Sequence, residues 1–431
     1  MLVYTDVITP RIQYIFQYLG EKTGITFKLT DSIEEYKTAT YPKINYSSNV
    51  ISTDEFDIMP CGLLTETGIN HKEIIPQTQN DLPVFFTTGG VFGFDLPAAI
   101  FYLISRYEEY DPFTPDKYGR YPYQNSLAHK GRFLQRPLVD EWVILFVSRL
   151  LNSFPSVEIK TPDFELIPTY DIDIAWSYLH KGWLRNIGGA LKYPETSLER
   201  LRVLTGAQKD PFDCYDQLDA WHEKMNCKPI YFFPAGTKRT SLDKHISPYN
   251  RSYRKLIQRI AQKSDAGLHP SMYSNRHPES LSEEKKILED IIGKPVHQSR
   301  QHYLWFKLPV TYHALIRAGI TDDYSMGYGT INGFRASTSR SFLWYDLEKE
   351  EMTSLRIHPH AWMDANSFYE QKLNPDQAAK EFKDYQQVIQ KVKGTWITVS
   401  HNHLLGQQKN WSGWATQYEQ LISNELHSGQ T

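Results

Sequence analysis

The feature that most constrains the fold is a series of short apolar segments, each of which ends in polar residues. They lie at residues 166–171, 230–233, 265–268, 294–299, 354–357 and 396–400, with helical patterns between them. Repeated strand–helix units of this kind are typical of α/β proteins, and a parallel barrel brings the carboxyl ends of its strands to one rim. We therefore expect an α/β fold in which the polar strand ends converge on one site.

The first of these segments, Leu-Ile-Pro-Thr-Tyr-Asp171-Ile-Asp173, ends in two carboxylates. Alternate residues of a strand share a face, which would place the two aspartates about 7 Å apart on one side of the chain. One carboxylate can then bind a metal ion while its neighbour accepts a proton from a water molecule. The other interpretation is a pair of solvated aspartates that open a turn. The polar residues at the remaining strand ends favour the metal site.

Composition is that of an ordinary globular protein and excludes several classes of function. Of the 431 residues 40% are hydrophobic and 23% charged, and the formal net charge of -3 gives no general electrostatic reason to expect binding to nucleic acid or to a membrane surface. Cys61, Cys214 and Cys227 show no CxxC spacing, which argues against a disulfide framework or a structural zinc module and fits a reducing compartment. With no secretory signal pattern and no run of about 18 apolar residues, we expect a cytoplasmic protein without a membrane span.

The length of the chain predicts two domains. Residues 1–150 alternate strand-like and helical segments, and the clearest helix begins near Asp95 with an Asp-x-Pro start. Glu108 and Glu109, which follow this helix, are expected to cap or pair within the N-terminal domain. The segment 153–163, with two prolines, is the candidate boundary. We predict a smaller N-terminal α/β domain over residues 1–158 and a (β/α) domain over residues 159–431.

Residues 160–405 resemble the polysaccharide deacetylase superfamily, carbohydrate esterases that remove acetyl groups from sugars. The sequence Thr-Tyr-Asp171-Ile-Asp173 is similar to the first motif of that superfamily, and Ser-Arg300-Gln-His302-Tyr303 is similar to its arginine motif. The sequence Ile-Thr-Val-Ser-His401 is the counterpart of its last motif, a strand that ends in a histidine. The resemblance implies the irregular (β/α) barrel of this superfamily and a divalent metal cofactor, with zinc as the favoured ion.

The histidine motif departs from the superfamily pattern, in which two metal-binding histidines lie about four residues apart. Gly-Leu-His269-Pro-Ser-Met-Tyr273 keeps the first histidine and has a tyrosine in the second position. A catalytic metal site needs three protein ligands and an open position. The resemblance therefore implies Asp173 and His269 as ligands, with His302 as the favoured third ligand and His277 as the alternative.

The resemblance also implies the roles of the residues around the metal. Asp171 is expected to be the catalytic base, Arg300 its partner, and His401 the general acid, with His403 as the alternative acid. His360 follows a predicted strand in His-Pro-His and is assigned a substrate role rather than metal binding. Arg335 lies among small hydroxyl residues, which suits an anionic substrate group or a structural turn. The expected substrate contacts are Tyr273, Tyr303, Arg335, His360 and His403.

The predicted function is metal-dependent removal of an acetyl group from a sugar or glycan precursor, either nucleotide-linked or lipid-linked. The alternative is a degenerate deacetylase fold that binds glycan, or serves as a scaffold in polysaccharide assembly, without turnover. Tyr273 in the histidine motif favours this alternative. Retention of Asp171, Asp173, Arg300 and His401 favours the enzyme, because a binding module needs neither a base nor an acid. The sugar and the oligomeric state are not predicted.

Overall fold

The computed structural model describes residues 1–52, 55–406 and 412–423. Within these ranges the strands are β1 (Leu2–Thr5), β2 (Lys28–Thr30), β3 (Lys43–Tyr46), β4 (Phe56–Asp57), β5 (Gln77–Gln79), β6 (Leu82–Val84), β7 (Glu165–Asp171), β8 (Ile230–Phe233), β9 (Asp265–Leu268), β10 (Gln298–Ser299), β11 (Asp322–Asp323), β12 (Phe342–Asp346), β13 (Glu351–Ile357), β14 (Trp362–Met363) and β15 (Thr395–His401). The helices are α1 (Pro10–Thr23), α2 (Ile33–Thr38), α3 (Leu96–Ile104), α4 (Leu127–Lys130), α5 (Leu138–Ser153), α6 (Trp183–Lys192), α7 (Ser197–Leu204), α8 (Tyr215–Met225), α9 (Arg251–Lys263), α10 (Met272–Arg276), α11 (Leu281–Ile292), α12 (Val310–Arg317), α13 (Pro375–Lys391), α14 (Asn402–Leu405) and α15 (Trp414–Ser423). In the described ranges no helix is both long and apolar enough to cross a bilayer.

The N-terminal region contains a four-stranded parallel sheet with the order β2-β1-β3-β4. Its helix α1 begins at Pro10, and the side chain of Thr9 accepts a hydrogen bond from the N–H of Ile12. The helix predicted to begin near Asp95 is confirmed as α3. The side chain of Asp95 caps α3 by accepting from the N–H of Ala98, so the Asp-x-Pro pattern marks a true helix start.

A nine-stranded sheet with the order β12-β13-β11-β10-β9-β8-β7-β15-β14 forms the rest of the molecule. All neighbouring pairs are parallel except β12 with β13. The predicted segments 230–233 and 265–268 are strands over those residues, whereas only the last two residues of 294–299 form a strand. The α/β class is confirmed. The edge strands β12 and β14 share no ladder among the described residues, so closure of the sheet into a barrel stays a prediction.

The two regions pack against each other through one hydrophobic core. The rings of Phe101 in α3 and Tyr345 in β12 lie 5.1 Å apart, and both residues belong to the same buried cluster. Buried Asp140 in α5 accepts hydrogen bonds from the side chain of Thr338 and from the backbone N–H of Ser339 (2.8 Å). A buried carboxylate needs such partners to offset the cost of leaving water. The N-terminal region therefore shares its core with the region that carries the large sheet.

Candidate active site

The three predicted metal ligands lie together at the carboxyl edge of the large sheet. Asp173 follows β7, His269 follows β9 and His302 follows β10, and the parallel order of these strands brings their ends to one side. One candidate ligand atom from each residue lies within 4.8 Å of the other two. Oδ1 of Asp173 is 3.0 Å from Nε2 of His269 and 3.5 Å from Nε2 of His302. This spacing suits side chains that share one ion.

Both histidines are oriented by a hydrogen bond from the ring nitrogen that points away from Asp173. Nδ1 of His269 donates to the carbonyl oxygen of Arg300 at 2.5 Å, and Nδ1 of His302 donates to Oδ1 of Asp243 at 3.3 Å. In neutral rings these contacts leave the Nε2 lone pairs directed at Asp173, as in zinc sites whose ligands are held by a second hydrogen bond. Two imidazoles and one carboxylate therefore fit a divalent metal such as zinc.

Asp243 is a site residue that the sequence analysis missed. Its carboxylate accepts hydrogen bonds from the N–H groups of Met272 (2.8 Å) and Thr240 (2.7 Å), which fix it beside His302. Burial favours the neutral carboxyl, but the contacts with His302 and with these N–H groups outweigh it and lower the pKa of Asp243. Asp243 lies in the connection between β8 and α9, where no strand-end pattern marks it.

Asp171, the last residue of β7, forms a buried ion pair with Arg300. Nη1 of Arg300 donates to Oδ1 of Asp171 at 2.9 Å, and its Nε donates to the carbonyl oxygen of Tyr324 at 3.0 Å. Burial alone would raise the pKa of Asp171, but the adjacent guanidinium outweighs that effect and lowers it. Asp171 is therefore an ionised carboxylate beside the candidate metal ligands, as a catalytic base has to be.

His401, the last residue of β15, is paired in register with Asp171 on the neighbouring strand. Its Nδ1 donates to Oδ1 of buried Asp364 at 2.6 Å, and its backbone N–H donates to the other carboxylate oxygen at 2.7 Å. Burial would lower the pKa of His401, but the Asp364 carboxylate outweighs it and raises the pKa to about 9. Burial lowers the pKa of His403 to about 3. Of the two candidates, His401 is the one that carries a proton to donate at neutral pH.

A cavity of about 700 Å³ opens in front of these residues. Asp171, Asp173, His269, His302 and His401 line it, and so do the predicted substrate contacts Tyr303 and His403. The N-terminal region also reaches the cavity through Arg120. The structure thus brings together all six predicted catalytic and metal-binding residues, since Arg300 lies directly behind Asp171.

Arg120 supports the backbone of the cavity wall at Tyr303. Nη1 of Arg120 donates to the carbonyl oxygen of Tyr303 at 2.7 Å, and the rings of Tyr118 and Tyr303 lie 5.3 Å apart. Tyr303 and Leu304 have φ values of 58° and 50°, in the left-handed region that non-glycine residues seldom adopt. Contacts that hold such a conformation are expected where the backbone is part of a site. The N-terminal region is therefore a structural part of the cavity wall.

The structure places three expected substrate contacts away from the cavity. The Arg335 side chain is buried and donates from Nε and Nη2 to the Glu109 carboxylate, at 2.9 and 2.6 Å, so it holds the two regions together. This corrects the substrate role of Arg335. Glu109 also accepts a hydrogen bond from Nε of Arg106 at 2.8 Å, so the expectation that Glu109 pairs within the N-terminal region is confirmed, and Arg335 is an additional partner. His360 is buried beneath the site, where burial lowers its pKa to about 3. The ring of Tyr273, in α10, stacks on the ring of His277, which directly follows α10, and the two ring centres lie 4.3 Å apart.

The position of His277 also corrects the alternative for the third metal ligand. Its ring is about half exposed, and its Nδ1 lies 3.5 Å from the Glu279 carboxylate rather than near Asp173. Helix α10 begins directly after the turn that carries His269, so it directs Tyr273 and His277 away from the strand ends. His302, which follows the neighbouring strand β10, is the third residue of the candidate ligand set.

Comparison with known proteins gives one family match and several structural likenesses. Residues 1–155 match the model of a family of unknown function, DUF7033. No curated protein matches the chain. The structural neighbours include a protein assigned as a polysaccharide deacetylase from Mycobacterium smegmatis, which is 15% identical, with a TM-score of 0.42 over 62% of this chain and 84% of that one.

Two further neighbours carry related descriptions. A protein assigned as a polysaccharide deacetylase from Pseudomonas aeruginosa PAO1 is 11% identical, with a TM-score of 0.38 over 61% of this chain and 83% of that one. A mutant of a CE4-family pseudoenzyme with restored enzymatic activity is 10% identical, with a TM-score of 0.28 over 62% of this chain and 64% of that one. At these TM-scores the likenesses carry no inference about chemistry, so function has to be inferred from the site.

Proposed function

We propose that this chain is a metal-dependent hydrolase that removes an acetyl group from a carbohydrate. The observation that carries the proposal is one cavity that contains a candidate metal-binding triad, Asp173, His269 and His302, beside an ionised base and a protonated acid. A base and an acid whose pKa values are driven apart by their surroundings are typical of acid–base catalysis. A module that only binds glycan has no use for this arrangement.

Each residue of the site then has one chemical task. A divalent cation held by Asp173, His269 and His302 would polarise the acetyl carbonyl and lower the pKa of a water molecule. Asp171 accepts the proton of the attacking water, and Arg300 keeps this carboxylate ionised and oriented. His401 donates its proton to the departing nitrogen or oxygen of the sugar. Asp364 holds the imidazolium in place by accepting a hydrogen bond from its Nδ1.

The degenerate, non-catalytic alternative was suggested by Tyr273 in the histidine motif. In the structure Tyr273 lies away from the cavity, and the third candidate ligand is His302. The departure from the motif therefore leaves a complete set of three donors. This supports the enzyme over the glycan-binding relic.

The proposal is tested by metal content and acetate release measured together. The wild-type chain should bind about one zinc, cobalt or nickel ion and release acetate from acetylated chito-oligosaccharides or acetylated xylan. Asp173→Ala, His269→Ala and His302→Ala should lose both metal and activity. Asp171→Asn is the matched control, which should keep the metal and lose the activity because only the base is changed.

Two results would contradict the proposal. A wild-type protein that takes up no metal after soaking and gentle washing would remove the hydrolytic mechanism. An Asp171→Asn variant that releases acetate as fast as the wild type would show that turnover does not use this base.

A further inference from the structure

Helices α6 and α7 form a surface hairpin, residues 183–204, that follows the connection after β7. Most of its large apolar side chains point to solvent instead of to the core, although Val203 is buried. Six of them are more than half exposed: Trp183, Leu184, Ile187, Leu191, Leu198 and Leu201. Large exposed apolar patches are rare on monomeric proteins and mark surfaces that contact something else.

The exposed side chains of α6 lie on one face of the helix. At about 100° per residue, Trp183, Leu184, Ile187 and Leu191 fall within an arc of roughly 100°. Arg185 and Lys192 lie outside this arc, and both are exposed. Helix α6 is therefore amphipathic with its apolar face outward, which is the reverse of a helix that packs on a core.

The hairpin is also basic within a chain of negative net charge. Together with the two residues before it, the hairpin (residues 181–204) contains five basic and two acidic residues, a net charge of +3, whereas the whole chain carries -3. In the described part of the chain, Lys181, Arg185, Lys192 and Arg202 have no carboxylate oxygen within 4.0 Å. Burial lowers the pKa of Lys181 to about 8; the carboxylate of Asp210 opposes this shift, and the nearby cations Arg185, Arg200 and Lys244 add to it. Unpaired cations that crowd together favour an anionic partner.

We propose that the hairpin docks peripherally on an anionic membrane surface. Tryptophan and leucine side chains enter the boundary between headgroups and acyl chains, as in other amphipathic helices that lie in the membrane plane. Arg185, Lys192 and Arg202 contact lipid phosphates beside them. A second copy of this chain is disfavoured as the partner, because a symmetric contact would bring two surfaces of charge +3 together.

The hairpin adjoins the candidate active site. Tyr193, which connects its two helices, lines the same cavity as Asp173 and His401, and so does Lys244. Docking would therefore bring the cavity mouth to the membrane surface, where a lipid-linked acetylated glycan is presented. This choice of substrate class rests on the proposed function, whereas the docking itself does not.

Vesicle co-sedimentation of the full chain tests the docking. The wild type should bind vesicles of phosphatidylcholine with 30% phosphatidylglycerol, and bind pure phosphatidylcholine much more weakly. Trp183→Ser/Leu184→Ser/Leu191→Ser should lower the partition coefficient at least tenfold. Replacing Arg185, Lys192 and Arg202 with Gln should lower it roughly 100-fold at low salt, since each surface cation contributes a factor of about five. Val50→Ser/Ile75→Ser, two exposed apolar residues elsewhere, is the control that should bind like the wild type.

Other outcomes would overturn the docking proposal. One is equal vesicle binding by the wild type and the triple serine variant. Another is a dimer of the wild-type chain that the serine substitutions convert to a monomer, which would make a second copy the partner. Acetate release from soluble acetylated oligosaccharide should be the same in the serine variant and the wild type. A wild type that releases acetate but does not bind vesicles would therefore contradict the docking alone. A wild type that releases no acetate would contradict the proposed function.

Discussion

The Asp171–Arg300 ion pair allows a sharp test, because both side chains are almost completely removed from solvent. Their exposed fractions are 3% and 0%, and the Nη1–Oδ1 distance is 2.9 Å. Arg300→Met removes the cation and leaves the carboxylate buried without its partner. Breaking a buried ion pair in this way costs about 3–5 kcal/mol of folding free energy. The variant also loses the hydrogen bond from Nε to the carbonyl oxygen of Tyr324.

That loss translates into a measurable shift in the melting temperature. The unfolding entropy of globular proteins is about 2.1 cal/mol/K per residue, or roughly 0.9 kcal/mol/K for 431 residues. A loss of 3–5 kcal/mol should therefore lower the melting temperature by about 3–6 °C. The measurement is scanning calorimetry of the metal-free protein in the presence of a chelator, with urea unfolding followed by tryptophan fluorescence as a second probe.

A double-mutant cycle separates the pair from simple loss of side-chain packing. Asp171→Asn/Arg300→Met contains no buried charge at this position, so it should recover at least about 2 kcal/mol relative to Arg300→Met alone. Arg149→Met, at an exposed arginine of α5, is the matched control and should change stability by less than about 0.5 kcal/mol. The reasoning is refuted if the two substitutions are additive, or if Arg300→Met destabilises no more than Arg149→Met.

Three further predictions concern the surroundings of the site. Burial raises the pKa of Glu284 to about 7, above the value of about 4.3 expected in the unfolded chain. Between these two pH values the folded protein binds a proton that the unfolded chain releases, so the folded state loses stability as the pH rises from about 4.3 to about 7. Glu284→Gln should flatten this dependence, which urea midpoints at pH 5 and pH 8 would reveal; an unchanged slope contradicts the assignment. Asp243→Asn should weaken metal binding about 10–100-fold by releasing His302, as measured by competition with a chelator, and wild-type affinity would exclude this role. Arg120→Ala should weaken the binding of acetylated oligosaccharide about tenfold or more, with metal content unchanged, because the Tyr303 turn loses its hydrogen bond. Calorimetric titration measures this affinity, and an unchanged affinity would show that Arg120 does not support the cavity wall.

The predicted site residues that the structure brings together are those at strand ends. Asp171, His269 and His401 each end or directly follow a strand of the large sheet, and Arg300 follows β10. In a parallel sheet, position along the strand determines position in space, because neighbouring strand ends lie on one edge. A polar residue that follows an apolar segment is therefore predicted to lie at that edge. This is why six residues from four separate segments of the sequence could be assigned to one site.

The residues that the sequence missed lie outside that rule. Asp243 belongs to a long connection, Asp364 follows the two-residue strand β14, and Arg120 comes from the other region of the chain. None of them lies in a periodic pattern. Their roles follow only from the residues that they contact in the structure, which are His302 for Asp243, His401 for Asp364 and the Tyr303 carbonyl for Arg120. The incorrect placement of Arg335 has the same origin. Its loop looked like a site for an anion, and the anion it binds is Glu109 of this chain.

The contacts between the two regions bear directly on how the site is built. Glu109 holds the loop of Arg335, Asp140 holds the turn at Ser339, and Arg120 holds the strained backbone at Tyr303. Glu109 and Asp140 are buried acids, and their partners in the other region are buried as well. Their contacts are therefore strong only while both regions remain packed. The cavity wall at Tyr303 therefore depends on Arg120, which contributes no candidate ligand, base or acid. The N-terminal region acts on the site by holding the backbone at Tyr303, the residue that follows the candidate ligand His302.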